Sequence, residues 1–332
     1  MAFCRGGTFQ RSAGEWVNPR CRAANPCGIT AYGDASQPRP ILAGSGDGLS
    51  FANGGNADHQ EGYVVTELDL RGGGSGTGLF FYNDIDDVVV CGLDISGFNA
   101  GINLQRGNTP NPGSDAENDR ISLLSSRVVN NASQGWLGAC NDCLLDGNYF
   151  ENNGGASNPA NRDHSIYLDS HRPITGMVIR NNELYRTTGS LGQCQGAPFT
   201  AHGNFTDLLL EGNYVHEDVG TAAGGCWGIV PDTGYGGEAE SFTRVTIRGN
   251  KVENVGNVSV GVNACDQCLI ENNTVLQSFS GTGISSPHRT AGAEDAPDGV
   301  VTFRNNVVTL TAGGQCYNYG PTVVDGGGNQ CL

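Results

Sequence analysis

A short segment that ends in asparagine recurs along the chain, and it constrains the fold more than any other feature of the sequence. Six copies carry asparagine at their last position: 143–148, 177–182, 208–213, 245–250, 268–273 and 301–306. Weaker copies place Leu68, Leu93 and Ser126 at that position. Neighbouring positions are between 22 residues (126 to 148) and 37 residues (213 to 250) apart, and a β-like run follows each of them.

The physics of this repeat predicts a coil of short parallel strands. Asparagine tolerates left-handed backbone angles at a bend between two strands. When coils stack about 4.8 Å apart, each asparagine amide can hydrogen-bond to the next one and so satisfy polar groups in the interior. We therefore predict an all-β fold, a single-stranded right-handed parallel β-helix (a solenoid) that forms one domain over residues 1–332. A β-sandwich is disfavoured, because its strands do not repeat one local motif.

A third predicted strand precedes each repeat and completes the coil. We place these first-sheet strands at 78–83, 101–105, 135–140, 165–170, 198–203, 228–232, 261–265 and 283–287. Because side chains alternate along a strand, Ile166 and Leu168 should point inward while Tyr167 and Asp169 face solvent. The longest predicted loops flank the middle coils, at 152–162, 187–196, 217–225 and 233–244. Long loops on a rigid scaffold are common binding sites.

Stacking of the coils places the outward residues of the first sheet in columns. In coil order these residues are Asn103/Gln105, Leu137/Ala139, Tyr167/Asp169, Thr200/His202, Val230/Asp232 and Asn263/Cys265. Asp169, His202 and Asp232 should therefore form one column, with Tyr167 beside it. Further charged or basic residues lie just outside the strand ends: Arg162, Asp163, His164, His171 and Arg172. Four of the six histidines fall between residues 164 and 216, and this clustering is the strongest functional signal in the chain.

The composition limits the partners and the location of the protein. A net charge of −16 argues against nucleic acid, because phosphate binding needs a basic surface. No run of 18 apolar residues is present, so we expect no membrane span. The N-terminal residues that follow Met1 do not form a signal peptide, and we expect that a leader was removed and a start codon added. We expect a monomer.

The twelve cysteines indicate a disulfide-bonded protein that is secreted or periplasmic, since no Cys/His zinc spacing is present. Two Cys-x-x-Cys pairs fall at the same turn of two coils, and no βαβ pattern supports a redox site. The pairs we expect are Cys140–Cys143, Cys265–Cys268, Cys194–Cys226 and Cys316–Cys331. The pairing of Cys4, Cys21, Cys27 and Cys91 stays open. Trp136 should pack in the core.

These features resemble the pectate-lyase-like family of right-handed parallel β-helices, a group of carbohydrate-active proteins. The asparagine series resembles that family's ladder, and the opening segments 3–9, 29–33 and 39–41 are similar to the start of many bacterial members. The resemblance covers nearly the whole chain and implies a substrate along the outer face of the first sheet. It does not fix the reaction, because the family includes lyases, hydrolases, epimerases and phage tailspikes. Many members use a catalytic lysine, but the only lysine here, Lys251, lies far from that sheet.

We expect a polysaccharide-degrading enzyme, with a lyase or epimerase of a uronate-containing substrate as the first hypothesis. Such chemistry needs a base for the proton α to the carboxyl, a group that neutralises the carboxylate, and an acid for the leaving oxygen. His202 or His164 could be the base and Tyr167 the acid. Arg172 or Arg162 could grip the carboxylate. His171, Trp227 and Gln105 are further candidate substrate contacts, with Trp227 able to stack on a sugar ring.

Two other functions remain open from the sequence. An inverting glycoside hydrolase could use Asp169 and Asp232 as acid and base, since two coil spacings separate them by roughly 9.5 Å. A non-catalytic adhesin or tailspike-like protein would need an assembly surface, and no segment marks one. We expect no cofactor and no metal ligands. Calcium is compatible with the aspartate content, but no motif locates a site for it.

Overall fold

The computed structural model describes residues 1–11, 16–52, 59–107, 114–154, 163–187, 196–220 and 226–332. These residues form strands joined by turns, and none of them belongs to a helix long and apolar enough to cross a membrane. The strands are β1 (Ala2–Cys4), β2 (Thr8–Gln10), β3 (Cys27–Tyr32), β4 (Ile41–Ala43), β5 (Leu49–Ala52), β6 (Gln60–Thr66), β7 (Asp69–Arg71), β8 (Thr77–Asn83), β9 (Ile85–Cys91), β10 (Asp94–Ser96), β11 (Ala100–Arg106), β12 (Ile121–Leu124), β13 (Arg127–Val129), β14 (Trp136–Leu137), β15 (Leu144–Asp146), β16 (Tyr149–Glu151), β17 (Ile166–Thr175), β18 (Val178–Arg180), β19 (Glu183–Tyr185), β20 (Phe199–Thr206), β21 (Leu209–Glu211), β22 (Tyr214–His216), β23 (Ile229–Pro231), β24 (Ser241–Thr243), β25 (Thr246–Arg248), β26 (Lys251–Glu253), β27 (Val258–Gly261), β28 (Cys265–Asp266), β29 (Cys268–Glu271), β30 (Thr274–Gln277), β31 (Gly281–Ser286), β32 (Val301–Arg304), β33 (Val307–Leu310), β34 (Gly314–Tyr319), β35 (Val323–Asp325) and β36 (Gln330–Cys331).

The strands form three long parallel sheets, and the chain visits the sheets in turn. Sheet 1 has the order β5-β8-β11-β14-β17-β20-β23-β27-β31-β34, with β24 beside β20 and β28 beside β24. Sheet 2 has the order β1-β3-β6-β9-β12-β15-β18-β21-β25-β29-β32-β35, and sheet 3 has the order β2-β4-β7-β10-β13-β16-β19-β22-β26-β30-β33-β36. The predicted right-handed parallel β-helix is confirmed.

Apolar side chains from all three sheets fill the interior of the coil. On sheet 1 the register aligns Ile102, Trp136, Ile166, Phe199 and Ile229 in one inward column, and each is at most 2% exposed. The predicted core position of Trp136 is confirmed. This alignment fixes which residues of sheet 1 face outward, since every second side chain along a strand points away from the core.

The asparagine ladder lies between sheets 2 and 3, at the end of the sheet 2 strands. The Nδ2 atom of Asn182 donates to Oδ1 of Asn213 at 3.0 Å, and Asn213 donates to Asn250 at 3.0 Å. The same contact links Asn148 to Asn182, and it continues through Asn273 to Asn306. At the weaker copies Ser126 accepts from the Leu93 amide at 3.1 Å, while Leu68 and Leu93 are fully buried.

Two parts of the predicted first sheet were wrong in extent or register. The strand predicted at 261–265 is instead β27, with Val260 opposite Ile229, so the outward positions of this coil are shifted by two residues. Asn263 and Cys265 therefore do not lie beside Val230 and Asp232 as predicted. The strand predicted at 135–140 ends at Leu137, because Gly138 takes a positive φ of 104° and turns the chain away.

Disulfides join cysteines at the coil corners and near the two ends of the described chain. The predicted pairs Cys140–Cys143, Cys265–Cys268 and Cys316–Cys331 are present, and Cys21–Cys27 forms a further pair. Cys4 and Cys91 are free thiols. Cys194 lies outside the described residues, so its predicted pairing with Cys226 stays a prediction.

Candidate functional site

The outer face of sheet 1 brings three of the predicted site residues together. Tyr167 and Asp169 alternate with buried residues along β17 and point away from the core. On the next coil Thr200 lies opposite Tyr167, and His202 lies opposite Asp169. The His202 ring meets the Tyr167 ring edge-on, with 5.4 Å between their centroids. A phenol, a carboxyl group and an imidazole therefore share one wall.

The backbone fixes the protonation pattern of a neutral His202. Its Nδ1 atom lies 2.6 Å from the carbonyl oxygen of Asp232, and a carbonyl oxygen only accepts hydrogen bonds. Nδ1 therefore carries the proton, which leaves the lone pair on Nε2. The backbone of Gly234 packs so closely on the ring that a Cβ atom there would lie 2.3 Å from Cε1 of His202. The imidazole is thus held in one orientation with a basic nitrogen available.

Asp169 is half-buried, and one oxygen of its carboxyl lacks a hydrogen-bond partner. The Oδ1 atom is buried without a hydrogen-bond partner. Burial raises the pKa of Asp169, although the nearby charges of His171, His202 and Arg106 pull that pKa downward. Desolvation disfavours the charged form of an acid. Asp169 is therefore suited to hold a proton and to donate it to a ligand oxygen.

Tyr167 is poised as a proton donor. Burial raises the pKa of its phenol, and the negative charges of Asp169, Glu240 and Asp232 raise it further. The phenol therefore keeps its proton throughout the ordinary pH range. A side chain of this kind can give a proton to a leaving oxygen, provided that a base returns the proton afterwards.

Asp232 follows His202 in the predicted column, but its carboxylate is enclosed. Its side chain is 2% exposed, and its oxygens are 3.0 Å from Nε2 of His288 and 3.0 Å from Nε of Arg289. The Thr200 hydroxyl donates to the same carboxylate at 3.4 Å. Asp232 therefore joins two coils to the segment that carries His288, and it is far less accessible than Asp169.

His164 contacts Tyr167, whereas His171 contacts Tyr235, which in turn contacts His202. His164 is buried, its Nδ1 atom is 2.9 Å from the Ala197 carbonyl oxygen, and its ring is 5.1 Å from that of Tyr167. His171 is exposed and stacks on Tyr235 with 4.6 Å between centroids. This geometry gives His164 a supporting position behind the wall and gives His171 a position at its surface.

The predicted carboxylate-binding arginines are not equivalent. Arg162 lies outside the described residues. Arg172 is half-buried and is already paired with Glu117, and it also donates to the Asp115 carbonyl oxygen at 3.2 Å. Arg106, at the end of β11, makes no ion pair with any described residue, and its Nη1 atom is buried without a hydrogen-bond partner. Arg106 is therefore a cation near Asp169 that has no ion-pair partner among the described residues.

The two remaining predicted contacts lie at different ends of the wall. Gln105 is exposed on β11, opposite Tyr82 of the neighbouring coil. Trp227 is partly exposed and meets the His288 ring edge-on, with 5.5 Å between centroids. Gln105 and Trp227 therefore lie on different coils, separated along the direction in which the coils stack.

One group of described residues has its potential metal-ligand atoms close together. His59, Asp84 and Asp86 present such atoms within 4.8 Å of one another, at the turn from β8 to β9. Two carboxylates and an imidazole form a ligand set that suits transition metals, whereas calcium prefers oxygen ligands alone. All three groups already have hydrogen-bond partners, because Nδ1 of His59 is 2.8 Å from Asp84 and Nη2 of Arg120 is 2.8 Å from Asp86.

Several residues at the wall were not identified from the sequence. Tyr235 lies in the predicted loop 233–244, so the loop was identified although its individual side chains were not. Arg106 directly follows a predicted first-sheet strand, and this position at the strand end could have identified it as a candidate site residue. His288 and Arg289 arrive from a segment more than fifty residues further along the chain than Asp232, and no local pattern indicates that contact.

Comparisons with known proteins concern the fold. No protein-family model and no curated protein sequence matches the chain. Among solved structures, the chain is similar to the catalytic domain of a GH87 α-1,3-glucanase in complex with tetrasaccharides, with a TM-score of 0.55 and 14% identity over 99% of this chain and 63% of that one. It is also similar to the tailspike protein of E. coli bacteriophage HK620, with a TM-score of 0.58 and 12% identity over 100% of this chain and 60% of that one.

A third similar structure is the A-module of the mannuronan C-5 epimerase AlgE6 from Azotobacter vinelandii, with a TM-score of 0.52 and 14% identity over 100% of this chain and 90% of that one. The chain spans about three fifths of the length of the glucanase and tailspike chains. With identities this low the likeness concerns architecture alone. The chain is a right-handed parallel β-helix, as its resemblance to the pectate-lyase-like proteins implies.

Proposed function

We propose that the chain is an enzyme that acts on a uronate-containing polysaccharide, as a lyase or an epimerase. The observation that carries this proposal is the convergence of Tyr167, Asp169 and His202 on the outer wall of sheet 1. Each has a different proton-transfer property. His202 is a base whose ring is fixed by a hydrogen bond, Asp169 is a carboxyl with a raised pKa, and Tyr167 is a protonated phenol. Both reactions begin with removal of the proton at C5, which is α to the uronate carboxyl.

The first step uses His202 and Asp169. Nε2 of His202 takes the C5 proton, and the electron pair of the broken C–H bond moves into the carboxyl group. Asp169 donates a hydrogen bond to that carboxyl, and the Arg106 guanidinium pairs with it. These contacts stabilise the developing enolate, because preorganised donors act most strongly where negative charge appears.

The second step distinguishes the two reactions. In a lyase the C4–O bond breaks as the C4–C5 double bond forms, and Tyr167 protonates the leaving oxygen. In an epimerase the C4–O bond stays intact, and Tyr167 delivers its proton to the opposite face of C5. In either case the tyrosinate regains a proton from the imidazolium of His202 or from water.

The hydrolase alternative is less well supported by the geometry. Asp169 has the raised pKa that a general acid needs, but its proposed partner Asp232 is enclosed by His288 and Arg289. An inverting reaction would need that carboxylate to contact a water molecule on the far side of the sugar ring. The proposed uronate chemistry needs no such rearrangement.

We also infer that the protein works outside the cytosol. Four disulfides among the described cysteines are typical of an oxidising compartment. Detection of the native protein in culture medium or periplasm, with its disulfides formed, would test this location.

The test is a panel of polyuronates and neutral glucans in deuterated buffer. We expect an ultraviolet-absorbing unsaturated product from a lyase, or deuterium at C5 of intact chains from an epimerase. His202→Ala and Asp169→Asn should lower the rate at least about a hundredfold. The matched control is His216→Ala, because this histidine stacks between tyrosines on sheet 3. New reducing ends without either signal would replace the proposal with hydrolysis, and full activity of His202→Ala would overturn the site.

A further inference from the structure

We propose that the enzyme acts on the end of a polysaccharide chain, because the outer wall of sheet 1 is closed on one side of His202 and open on the other. This inference rests on the proposed function and deepens it. The closed side is formed by a segment that we call the strap, residues 287–299, which follows β31 and contacts Asp232, Gly261 and Ala264.

The strap covers the coil that follows His202. The His288 side chain is 3% exposed and packs on Gly261, where a Cβ atom would lie 2.7 Å from Cβ of His288. Beneath the strap the outward Val230 is fully buried, and the Asp232 side chain is 2% exposed. A sugar chain on the wall therefore cannot continue past His202 along this face.

The strap is anchored at several points along its length. The amide of Gly237 donates to Glu294 at 2.9 Å, and the amide of Glu240 donates to Asp295 at 3.0 Å. The Ala264 amide donates to Asp298 at 2.7 Å. Together with the ion pairs of Asp232, these contacts make the strap a fixed end wall.

The opposite side of the wall is accessible in the described residues. Gln105 on β11 is exposed, and Phe80 and Tyr82 on β8 are partly exposed. The two rings lie side by side, with centroids 6.0 Å apart and planes within 12° of each other. Three coil spacings separate β8 from β17, roughly 14 Å, which accommodates a short oligosaccharide. Aromatic faces of this kind stack on sugar rings.

Arg289 provides a charged group at the end wall. Its Nε atom pairs with Asp232, and the side chain is 36% exposed, so part of the guanidinium faces the solvent. An arginine can hold a carboxylate with two parallel hydrogen bonds. Arg289 is therefore positioned to bind the carboxylate of the terminal uronate, while the rest of the chain extends towards Phe80 and Tyr82.

The experiment follows product sizes over time with a uronate oligomer of defined length. From a lyase we expect only the smallest product at the first time points, while the remaining oligomer shortens in single steps. From an epimerase in deuterated buffer we expect deuterium first at C5 of a terminal unit, and deuterium first at internal units would equally overturn action at a chain end. Fragments of intermediate length appearing first would overturn action at a chain end and would leave the proposed function intact. Absence of any reaction on uronates would count against the proposed function itself.

A pair of variants tests the end wall directly. Arg289→Gln should raise KM for the oligomer about tenfold with a small change in kcat, because it removes a contact to the terminal unit. Arg244→Gln is the matched control, since Arg244 is also half-exposed and pairs with Asp207 at 2.7 Å, at the turns that follow β24 and β20. Equal KM values for both variants would contradict the role of Arg289.

Discussion

Gly234 contacts the proposed base so closely that one methyl group should displace it. A Cβ atom at this position would lie 2.3 Å from Cε1 and 2.5 Å from Nδ1 of His202. We expect Gly234→Ala to push the ring out of its hydrogen bond with the Asp232 carbonyl and to lower kcat at least about tenfold. The fold should be retained, since Gly234 lies in an exposed loop.

The same loop supplies the control for this prediction. A Cβ atom added at Gly236 would have no other atom within 4 Å, so Gly236→Ala introduces the same methyl group without a clash. Steady-state kinetics and thermal unfolding of both variants make the comparison. Equal kcat values for the two variants would contradict the idea that Gly234 positions His202.

The buried carboxyl of Glu217 should make the folding stability of the protein depend on pH. Burial raises its pKa to about 8, the charge of Asp218 adds to this effect, and a Thr187 backbone hydrogen bond and Arg186 oppose it. A carboxyl with a raised pKa binds its proton more tightly in the folded state. Its contribution to stability is therefore complete below the unfolded pKa of 4.5 and is lost as pH rises through about 8.

The variant Glu217→Gln tests this dependence, because glutamine does not titrate. In the wild type this group should lower the free energy of unfolding by at most about 1.4 kcal/mol for each pH unit in that window, and the variant should lack the decline. Urea unfolding at several pH values measures the slope. The control is Glu253→Gln, whose carboxyl is held by Lys251 and Tyr214. Parallel profiles of wild type and Glu217→Gln would refute the prediction.

The asparagine ladder is the element that the repeat predicted most directly. Each rung has a fixed sequence position and a fixed physical task, so a local pattern was sufficient to find it. Asn329 extends the ladder by one rung, accepting from Asn306 at 3.0 Å, and Asn131 with Asn153 begins a second ladder. Neither was predicted, because the segments around them do not repeat the local motif.

A rung in the middle of the ladder should be costly to remove. Asn213 is buried, donates to Asn250 and to the Ile179 carbonyl oxygen, and accepts from Asn182. Asn213→Ala leaves these buried partners unsatisfied, and we expect a loss of about 2–4 kcal/mol in unfolding free energy. Asn329→Ala, at a partly exposed end rung, should cost less. A smaller loss at position 213 than at 329, measured by urea unfolding, would contradict this gradient.

The strands of sheet 1 were harder to place than the ladder. Alternation correctly set Tyr167, Asp169 and His202 outward, because β17 and β20 are long and paired residue by residue. The coil of β27 was misplaced by two residues. β27 ends at Gly261, and His288 from a distant segment packs on this glycine, a contact that no local pattern indicates.

At the scale of the whole molecule, the fold followed from the sequence and the site followed only in part. The repeat aligns equivalent positions of successive coils, and this alignment determines which outward residues form a column. The burial and ion pairing of Asp232 involve instead His288 and Arg289, which come from the strap. Glu117 pairs with Arg172, which lies more than fifty residues further along the chain. Such long-range pairings have no local signature.

The net charge of −16 makes a prediction about salt. Long-range repulsion between the acidic protein and the proposed polyuronate substrate should slow their encounter at low ionic strength, while the proposed contacts of Arg106 and Arg289 would act only at short range. Raising the salt concentration to about 0.1 M shortens the Debye length to about 10 Å. We therefore expect kcat/KM to rise several-fold between low and moderate salt. A steady fall over this range would indicate that attraction dominates the encounter.

The central claim is that uronate chemistry takes place on the outer wall of sheet 1. The most direct measurement is a crystal structure of the slowed variant Asp169→Asn with a bound oligouronate. We predict a uronate carboxylate within hydrogen-bond distance of Arg106 and of residue 169, with C5 facing Nε2 of His202. An oligosaccharide bound to sheet 2 or sheet 3, with this wall empty, would contradict the account.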